Sequence, residues 1–146
     1  MTDIQEARGA LDRILELTVL LGDDMARDLA RRGLTGSRAH LVWELHRRGP
    51  STQQTLAGAL GVTPRAITGL VDALTEAGFV TREPHPSDRR ATLVTFTPRG
   101  ARAARALERD HVQLADRLFG DMSETTFRGF IRGLDPVLAR LRELLS

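Results

Sequence analysis

The central segment, residues 61–100, carries the clearest hydrophobic pattern of the chain. Four apolar residues recur there at the spacing of one helix face: Ile67, Leu70, Val71 and Leu74. The hydroxyl of Thr63 can cap the start of this helix, and Pro64 suits its first position. Gly78 suits the left-handed turn that ends a helix. The pattern therefore predicts a helix that begins at Pro64 and stops shortly before Gly78.

Shorter elements flank this helix on both sides. A short helix is predicted over residues 52–60, and either Ser51 or Thr52 can cap it. On the other side, β-branched residues predict two strands, Val80–Glu83 and Thr92–Phe96, joined by a proline-containing loop. Two short helices joined by a tight turn containing glycine and followed by a hairpin are typical of a winged helix-turn-helix.

Both ends of the chain also show apolar residues at three- and four-residue steps. This spacing predicts an N-terminal helix that ends near Gly33, a helix that opens at Thr97, and a last helix from about Ser123. Pro136 lies inside the last helix and is expected to kink or split it. A lone monomer would leave part of these apolar stripes exposed, so we expect a dimer. The candidate dimerisation residues are Leu11, Leu21, Leu138 and Leu141.

The charge balance of the 146 residues says little about partners by itself. There are 21 Lys+Arg against 19 Asp+Glu, a formal net charge of +2. All the basic residues are arginine, whose planar guanidinium suits phosphate and guanine. Arginines cluster between residues 82 and 109, which indicates either a nucleic-acid surface or a solvated helix face.

Several kinds of chemistry are disfavoured. Cysteine is absent, which removes disulfides, zinc–thiolate sites and thiol redox sensing. His40 and His46 are six residues apart, the wrong spacing for a shared metal on a helix. No nucleophile motif or phosphate-binding glycine loop is found, so we expect neither an enzyme nor a cofactor. The charged start and the lack of a membrane-length apolar run predict a cytoplasmic protein without a membrane partner.

The central segment resembles the MarR family of winged helix-turn-helix regulators. The matching residues are Leu70-Val71-Asp72 with Leu74, Gly78-Phe79-Val80, Arg82, Asp88-Arg89-Arg90, and Thr97 with Gly100. The resemblance implies a mainly α fold with a small β-hairpin wing. It divides the chain into an N-terminal dimerisation helix (1–33), a winged DNA-binding domain (34–97) and C-terminal dimerisation helices (98–146). It also implies a homodimeric repressor that binds a pseudopalindromic site on double-stranded DNA and responds to a small-molecule effector.

DNA-reading roles can be assigned to individual side chains. Arg65 and Thr68 are candidates for base edges, because arginine reads guanine and a threonine methyl can contact thymine. The resemblance implies that Arg90 enters the minor groove and that Asp88 orients it by a salt bridge. Asp72 would repel phosphate, so we expect it to pair with a nearby arginine. The predicted DNA-binding residues are Gln53, Gln54, Thr63, Pro64, Arg65, Thr68, Gly69, Arg82, Asp88, Arg89 and Arg90.

Three further hypotheses concern the segment before the central one. Thr35 can cap the helix that runs to about Arg47. His40 and Trp43 on this helix are candidates for the wall of an effector pocket, although Trp43 also suits a purely packing role. A different function stays open: a helical protein-interaction module whose winged domain does not bind DNA.

Overall fold

The computed structural model describes residues 1–34 and 36–146, so the predicted cap Thr35 lies outside the described residues. These residues form six helices and three short strands. In chain order they are α1 (Ile4–Arg31), α2 (Ser37–Arg48), β1 (Ser51–Thr52), α3 (Gln53–Leu60), α4 (Pro64–Glu76), β2 (Val80–Pro84), β3 (Thr92–Phe96), α5 (Pro98–Phe119) and α6 (Glu124–Leu145). The predicted fold class, mainly α with a β-hairpin wing, is confirmed. None of the described helices is long and apolar enough to cross a membrane.

The two helices of the helix-turn-helix begin at threonine caps. The hydroxyl of Thr52 accepts from the amide of Thr55 at 3.2 Å, so Thr52 caps α3. The hydroxyl of Thr63 accepts from the amide of Ala66 at 3.1 Å, with proline in the first turn of α4 as predicted. Between the helices, Gly61 adopts a left-handed conformation with φ 67°, which a residue with a Cβ adopts only at a cost.

The wing is one strand wider than the sequence pattern predicts. The sheet is antiparallel with the order β1-β3-β2, and β1 pairs Ser51 with Val94. The hairpin register pairs Val80 with Phe96, and the predicted β3 has the predicted bounds. A two-residue strand is too short to show an alternating pattern, which is why β1 was not predicted.

The residues from 1 to 104 form one compact unit, and its core lies in the winged domain. Helix α3 packs against α2 and α4, and α4 packs against β2. Leu41 on α2 is fully buried. The other fully buried side chains include Leu34, Val42, Leu45, Leu56, Ile67, Val71, Leu74 and Val94.

The start of α5 is fixed to the turn that follows α4. The hydroxyl of Thr97 donates to the carbonyl of Gly78 at 2.6 Å and accepts from the amide of Gly100 at 3.1 Å. A Cβ on Gly100 would overlap the carbonyl oxygen of Phe79. The guanidinium of Arg99 lies 4.7 Å from the ring centre of Phe79. Glycine at position 100 therefore allows the helix to approach the backbone of the wing.

The residues from 105 to 146 form a second compact unit, which holds the rest of α5 and all of α6. The hydroxyl of Ser123 caps α6 by accepting from the amide of Thr126 at 3.2 Å. Pro136 does not split this helix, because α6 is continuous from Glu124 to Leu145, and the alternative of a kink at Pro136 stays a prediction. Proline removes one backbone donor, and the long helical segments on both sides of it keep the helix intact.

The first and the last helix of the chain, α1 and α6, each expose many apolar side chains. Helices α1 and α6 contain no buried residue. Of the predicted dimerisation residues, Leu11 is 53% exposed, Leu138 39% and Leu141 50%, while Leu21 is half-buried. The division of the chain at residues 33 and 97 stays a prediction.

Candidate nucleic-acid interface

Helix α4 presents a polar face to solvent. Its apolar face, with Ile67, Val71 and Leu74, is buried in the core. The opposite face is exposed and carries Arg65, Thr68, Gly69 and Asp72. A Cβ placed on Gly69 would have no atom within 4 Å, so this part of the helix backbone is open to a close approach from outside.

Arg82 of β2 connects the wing to both helices of the helix-turn-helix. Its Nε and Nη2 donate to Oε1 of Gln53 on α3 at 3.1 and 3.0 Å. Nη2 also donates to Oδ1 of Asp72 on α4 at 2.5 Å. The amide nitrogen of Gln53 donates in turn to the hydroxyl of Thr68 at 3.1 Å, and that hydroxyl donates to the carbonyl of Pro64 at 2.9 Å. We call these five residues the Arg82 network.

The Arg82 network includes three of the predicted DNA-binding residues, Gln53, Thr68 and Arg82. The expected pairing of Asp72 with an arginine is confirmed. Hydrogen bonds among Gln53, Thr68 and Arg82 join α3, α4 and β2, and a contact of these residues with DNA stays a prediction. The residues that make these contacts are separated by 15 and 29 positions in the sequence. A local sequence pattern therefore cannot reveal them.

The wing tip, residues 85–91, is a turn built on side-chain acceptors. Nδ1 of His85 accepts from the amides of Ser87 and Asp88, each at 3.1 Å. Oδ1 of Asp88 accepts from the backbone amide of Arg90 at 3.0 Å. The prediction of a salt bridge between Asp88 and the guanidinium of Arg90 is wrong for this structure. A carboxylate two residues before an amide closes a local turn readily, and that contact replaces the ion pair.

Three guanidinium groups point from this surface without an ion-pair partner among the described residues: those of Arg65, Arg89 and Arg90. All three residues are exposed. Gln54 is exposed at the first turn of α3, and Thr63 and Pro64 are exposed at the start of α4. This surface combines an exposed polar helix face, an open backbone at Gly69 and arginines without an ion-pair partner. Such features are typical of a DNA-binding surface.

A second charged cluster lies on α2. The carboxylate of Glu44 is nearly buried and accepts from Nε of Arg48 at 2.9 Å and from Arg47 at 3.4 Å. The hydrogen bond from Arg48 holds the pKa of Glu44 below its usual 4.5, although burial acts in the opposite direction. Nε2 of His40 lies 4.0 Å from the same carboxylate.

The candidate effector residues lie on this helix. His40 is exposed, whereas Trp43 is half-buried and lies with its ring centre 6.1 Å from that of His46. The second unit has a shallow apolar groove of about 350 Å³, lined by residues between Ala115 and Phe127 that include neither His40 nor Trp43. The assignment of these two residues to an effector pocket therefore stays a prediction. Within the described residues, no His, Asp or Glu group could hold a metal ion.

Comparison with known proteins agrees with this geometry. The model of the MarR family matches residues 34–92. The HTH-type transcriptional regulator ML2140 of Mycobacterium leprae is 37% identical over 83 residues, which are 56% of this chain and 58% of that protein. The matched part therefore spans little more than half of this relative.

Two solved structures resemble nearly the whole chain. AbsC, a MarR family transcriptional regulator from Streptomyces coelicolor, is 25% identical and superposes with a TM-score of 0.72 over 98% of this chain and 97% of its own. FabT of Streptococcus pneumoniae, solved in complex with DNA, is 20% identical, with a TM-score of 0.80 over 97% of this chain and 99% of its own. By sequence, residues 34–92 are similar to the MarR family, and the fold of nearly the whole chain is similar to that of AbsC, a member of this family.

Proposed function

We propose that this protein is a sequence-specific DNA-binding transcriptional regulator. The observation that carries the proposal is the surface formed by the exposed face of α4 and the wing tip. It holds Arg65, Arg89 and Arg90 with no ion-pair partner among the described residues, while the neighbouring Asp72 is neutralised by Arg82. Arginine without an internal partner is available to phosphates and base edges.

Helix α4 would enter the major groove. Arg65 lies in its first turn, the part of a recognition helix that contacts base edges. A guanidinium can bind O6 and N7 of guanine together. Gly69 would let the helix lie close to the DNA, because no side chain stands between its backbone and solvent.

The wing would contact the minor groove next to it. Narrow minor grooves carry an enhanced negative potential that attracts arginine. Arg90 lies at the exposed tip, and its backbone amide is held by Asp88. This contact would orient the arginine through its backbone instead of through an ion pair.

The active form would be a homodimer. Leu11, Leu138 and Leu141 are exposed on helices without a buried residue, and exposed apolar patches mark association surfaces. A two-fold axis would place two α4 helices on a pseudopalindromic operator, with half-sites about 34 Å apart. Light scattering should give about 32 kDa, twice the 16.1 kDa of one chain, and a stable monomer at micromolar concentration would contradict this part.

The response to a small molecule is a further part of the proposal. It rests on the likeness to the MarR family and on α2, where a half-buried indole at Trp43 and an imidazole at His40 lie within one helical turn. An effector bound there would lower the affinity for DNA and relieve repression. This function needs no catalytic group and would place the protein in the cytoplasm.

Selection of genomic fragments by the purified protein tests the proposal. The fragments recovered should share one pseudopalindrome, and a duplex carrying it should bind more tightly than a scrambled duplex. The logarithm of the binding constant should fall linearly with the logarithm of salt concentration. Recovery of random fragments, or binding that ignores salt, would favour the alternative of a protein-interaction module.

A further inference from the structure

We propose that His85 is a positioning residue of the wing, and that it holds the turn presenting Arg89 and Arg90 only while its Nδ1 is unprotonated. The consequence is a DNA specificity that falls at acid pH. The predicted effect on DNA specificity rests on the proposed function, whereas the role of His85 in the turn can be tested without DNA.

The geometry assigns the protonation state of the ring. Nδ1 of His85 lies 3.1 Å from the amide nitrogens of Ser87 and Asp88, and 3.3 Å from the hydroxyl oxygen of Ser87. A backbone amide can only donate, so Nδ1 must offer a lone pair to both amides. The ring is therefore neutral in this turn, with its proton on Nε2.

Hydrogen bonds lead from this ring to the tip arginine. The amide of His85 donates to the carbonyl of Ala91 at 3.1 Å, and the amide of Ala91 donates to the carbonyl of Asp88 at 3.1 Å. The amide of Asp88 donates to the imidazole, and the carboxylate of Asp88 holds the amide of Arg90 at 3.0 Å. If the imidazole stopped accepting, the residue that orients Arg90 would lose one of its anchors.

Protonation would break this arrangement. An imidazolium donates from both nitrogens, so a proton on Nδ1 would face two amide protons and remove two hydrogen bonds. Histidine is the side chain that ordinarily changes its charge between pH 5 and 8. The charged neighbours in the hairpin are Arg82 and Glu83 on β2 and Asp88, Arg89 and Arg90 at the tip, and β3 contributes none.

Protonation of His85 would act differently on operator binding and on non-specific DNA binding. An opened turn would no longer present Arg90 in the orientation that fits a groove, which lowers the affinity for the operator. The added positive charge would favour any phosphate backbone, which raises or preserves non-specific affinity. The ratio of operator affinity to scrambled-duplex affinity is therefore the quantity that should respond to pH.

Two substitutions separate the hydrogen bonds from the titration. His85→Asn keeps a side-chain acceptor for local backbone amides but does not titrate. His85→Ala removes both properties. His46→Asn is the control, since it removes an imidazole from α2, outside the wing.

Fluorescence anisotropy on both duplexes at pH 8.0 and pH 5.5 would measure the ratio. For the parent and His46→Asn we expect it to fall about three- to tenfold at the lower pH, the scale of one or two hydrogen bonds. His85→Asn should keep the high ratio at both pH values, and His85→Ala should show a low ratio at both. An unchanged pH response in His85→Asn, or a parent-like ratio in His85→Ala at pH 8.0, would overturn the inference.

Nuclear magnetic resonance without DNA tests the turn itself. At pH 8.0 the imidazole should show an unprotonated Nδ1, and the amides of Ser87 and Asp88 should be protected from hydrogen exchange. This protection, corrected for the intrinsic effect of pH, should be lost at pH 5.5 in the parent and retained in His85→Asn. Equal protection in parent and His85→Ala would overturn the inference. One outcome separates the two claims: no duplex binds selectively, but the protection of the Ser87 and Asp88 amides still depends on His85 as expected. The proposed function and the predicted pH effect on DNA specificity would then be refuted, and the role of His85 in the turn would stand.

Discussion

Disruption of the contact between Arg82 and Asp72 is the most informative perturbation of the fold. This pair joins the wing strand β2 to α4, and Arg82 also binds Gln53 on α3. We predict that Arg82→Ala and Asp72→Ala each destabilise the protein, and that the double variant is destabilised by less than the sum of the two. The difference is the coupling energy of the pair.

The structure sets the size of this coupling. Two unit charges about 4 Å apart interact by about 1 kcal/mol in water and about 4 kcal/mol at an effective dielectric constant of 20. Asp72 is 60% exposed and Arg82 is 33% exposed, so water screens the pair strongly. Solvent-exposed ion pairs typically show coupling energies of about 0.2–1 kcal/mol. The additional hydrogen bonds from Arg82 to Gln53 place our expectation in the upper half, about 0.5–1 kcal/mol.

Urea denaturation of the four proteins measures the coupling. The protein concentration must be equal throughout, because dimerisation adds to the apparent stability. In 1 M salt the screening length falls from about 10 Å to about 3 Å, so the coupling should shrink. A coupling below about 0.2 kcal/mol at low salt would contradict this expectation, since the ion pair would then contribute nothing to the docking of the wing.

Three further predictions concern single residues. Gly69→Ala should raise the free energy of unfolding by about 0.5–1 kcal/mol, because the site is helical and open. The same substitution should weaken operator binding if α4 lies close to DNA. Urea denaturation measures the first effect and fluorescence anisotropy the second. Gly100→Ala should cost about 1–3 kcal/mol in the same denaturation assay, because the new Cβ would overlap the carbonyl of Phe79. Glu44→Gln should destabilise the protein at pH 7 but not at acid pH. The pKa of Glu44 is lowered by Arg48, so its stabilising effect is present above the usual 4.5 and disappears as the pH falls through the lowered folded value; denaturation at about pH 7 and pH 3 would show whether the difference disappears.

Local signals predicted most of the helix starts and the wing. Caps such as Thr63 act within three residues, so the chain shows both donor and acceptor in one short window. The strand β3 was predicted with its observed bounds for a similar reason, because its β-branched and aromatic residues lie close together in the sequence.

The contacts that were missed depend on distance along the chain or on competition between partners. β1 exists only because Ser51 meets Val94 across the sheet. The contact of Arg82 with Gln53, 29 residues away, was not predicted, whereas a DNA contact by Arg82 stays a prediction. At the wing tip the residue pair was identified, yet Asp88 prefers the amide of Arg90 to its side chain. His85 gave no signal, because an isolated histidine in a loop has no local pattern that indicates an acceptor.

The main proposal is that α4 and the wing read DNA in different ways, and one comparison of variants addresses it. Fluorescence anisotropy would be measured on operator and scrambled duplexes over a range of salt concentrations. The variants are Arg65→Ala, Arg90→Ala and Asp88→Ala, with Arg128→Ala on α6 as a control that removes the same charge elsewhere.

We expect Arg65→Ala to weaken operator binding by about 1–3 kcal/mol and to change binding to the scrambled duplex little. Arg90→Ala should weaken binding to both duplexes, and its salt slope should be smaller by about one for each phosphate that the protein no longer neutralises. Asp88→Ala should act as a milder form of Arg90→Ala, because the arginine stays but its backbone is no longer anchored. If Arg90→Ala bound both duplexes as tightly as the parent and the control, the wing would not contact DNA and the proposal would be contradicted.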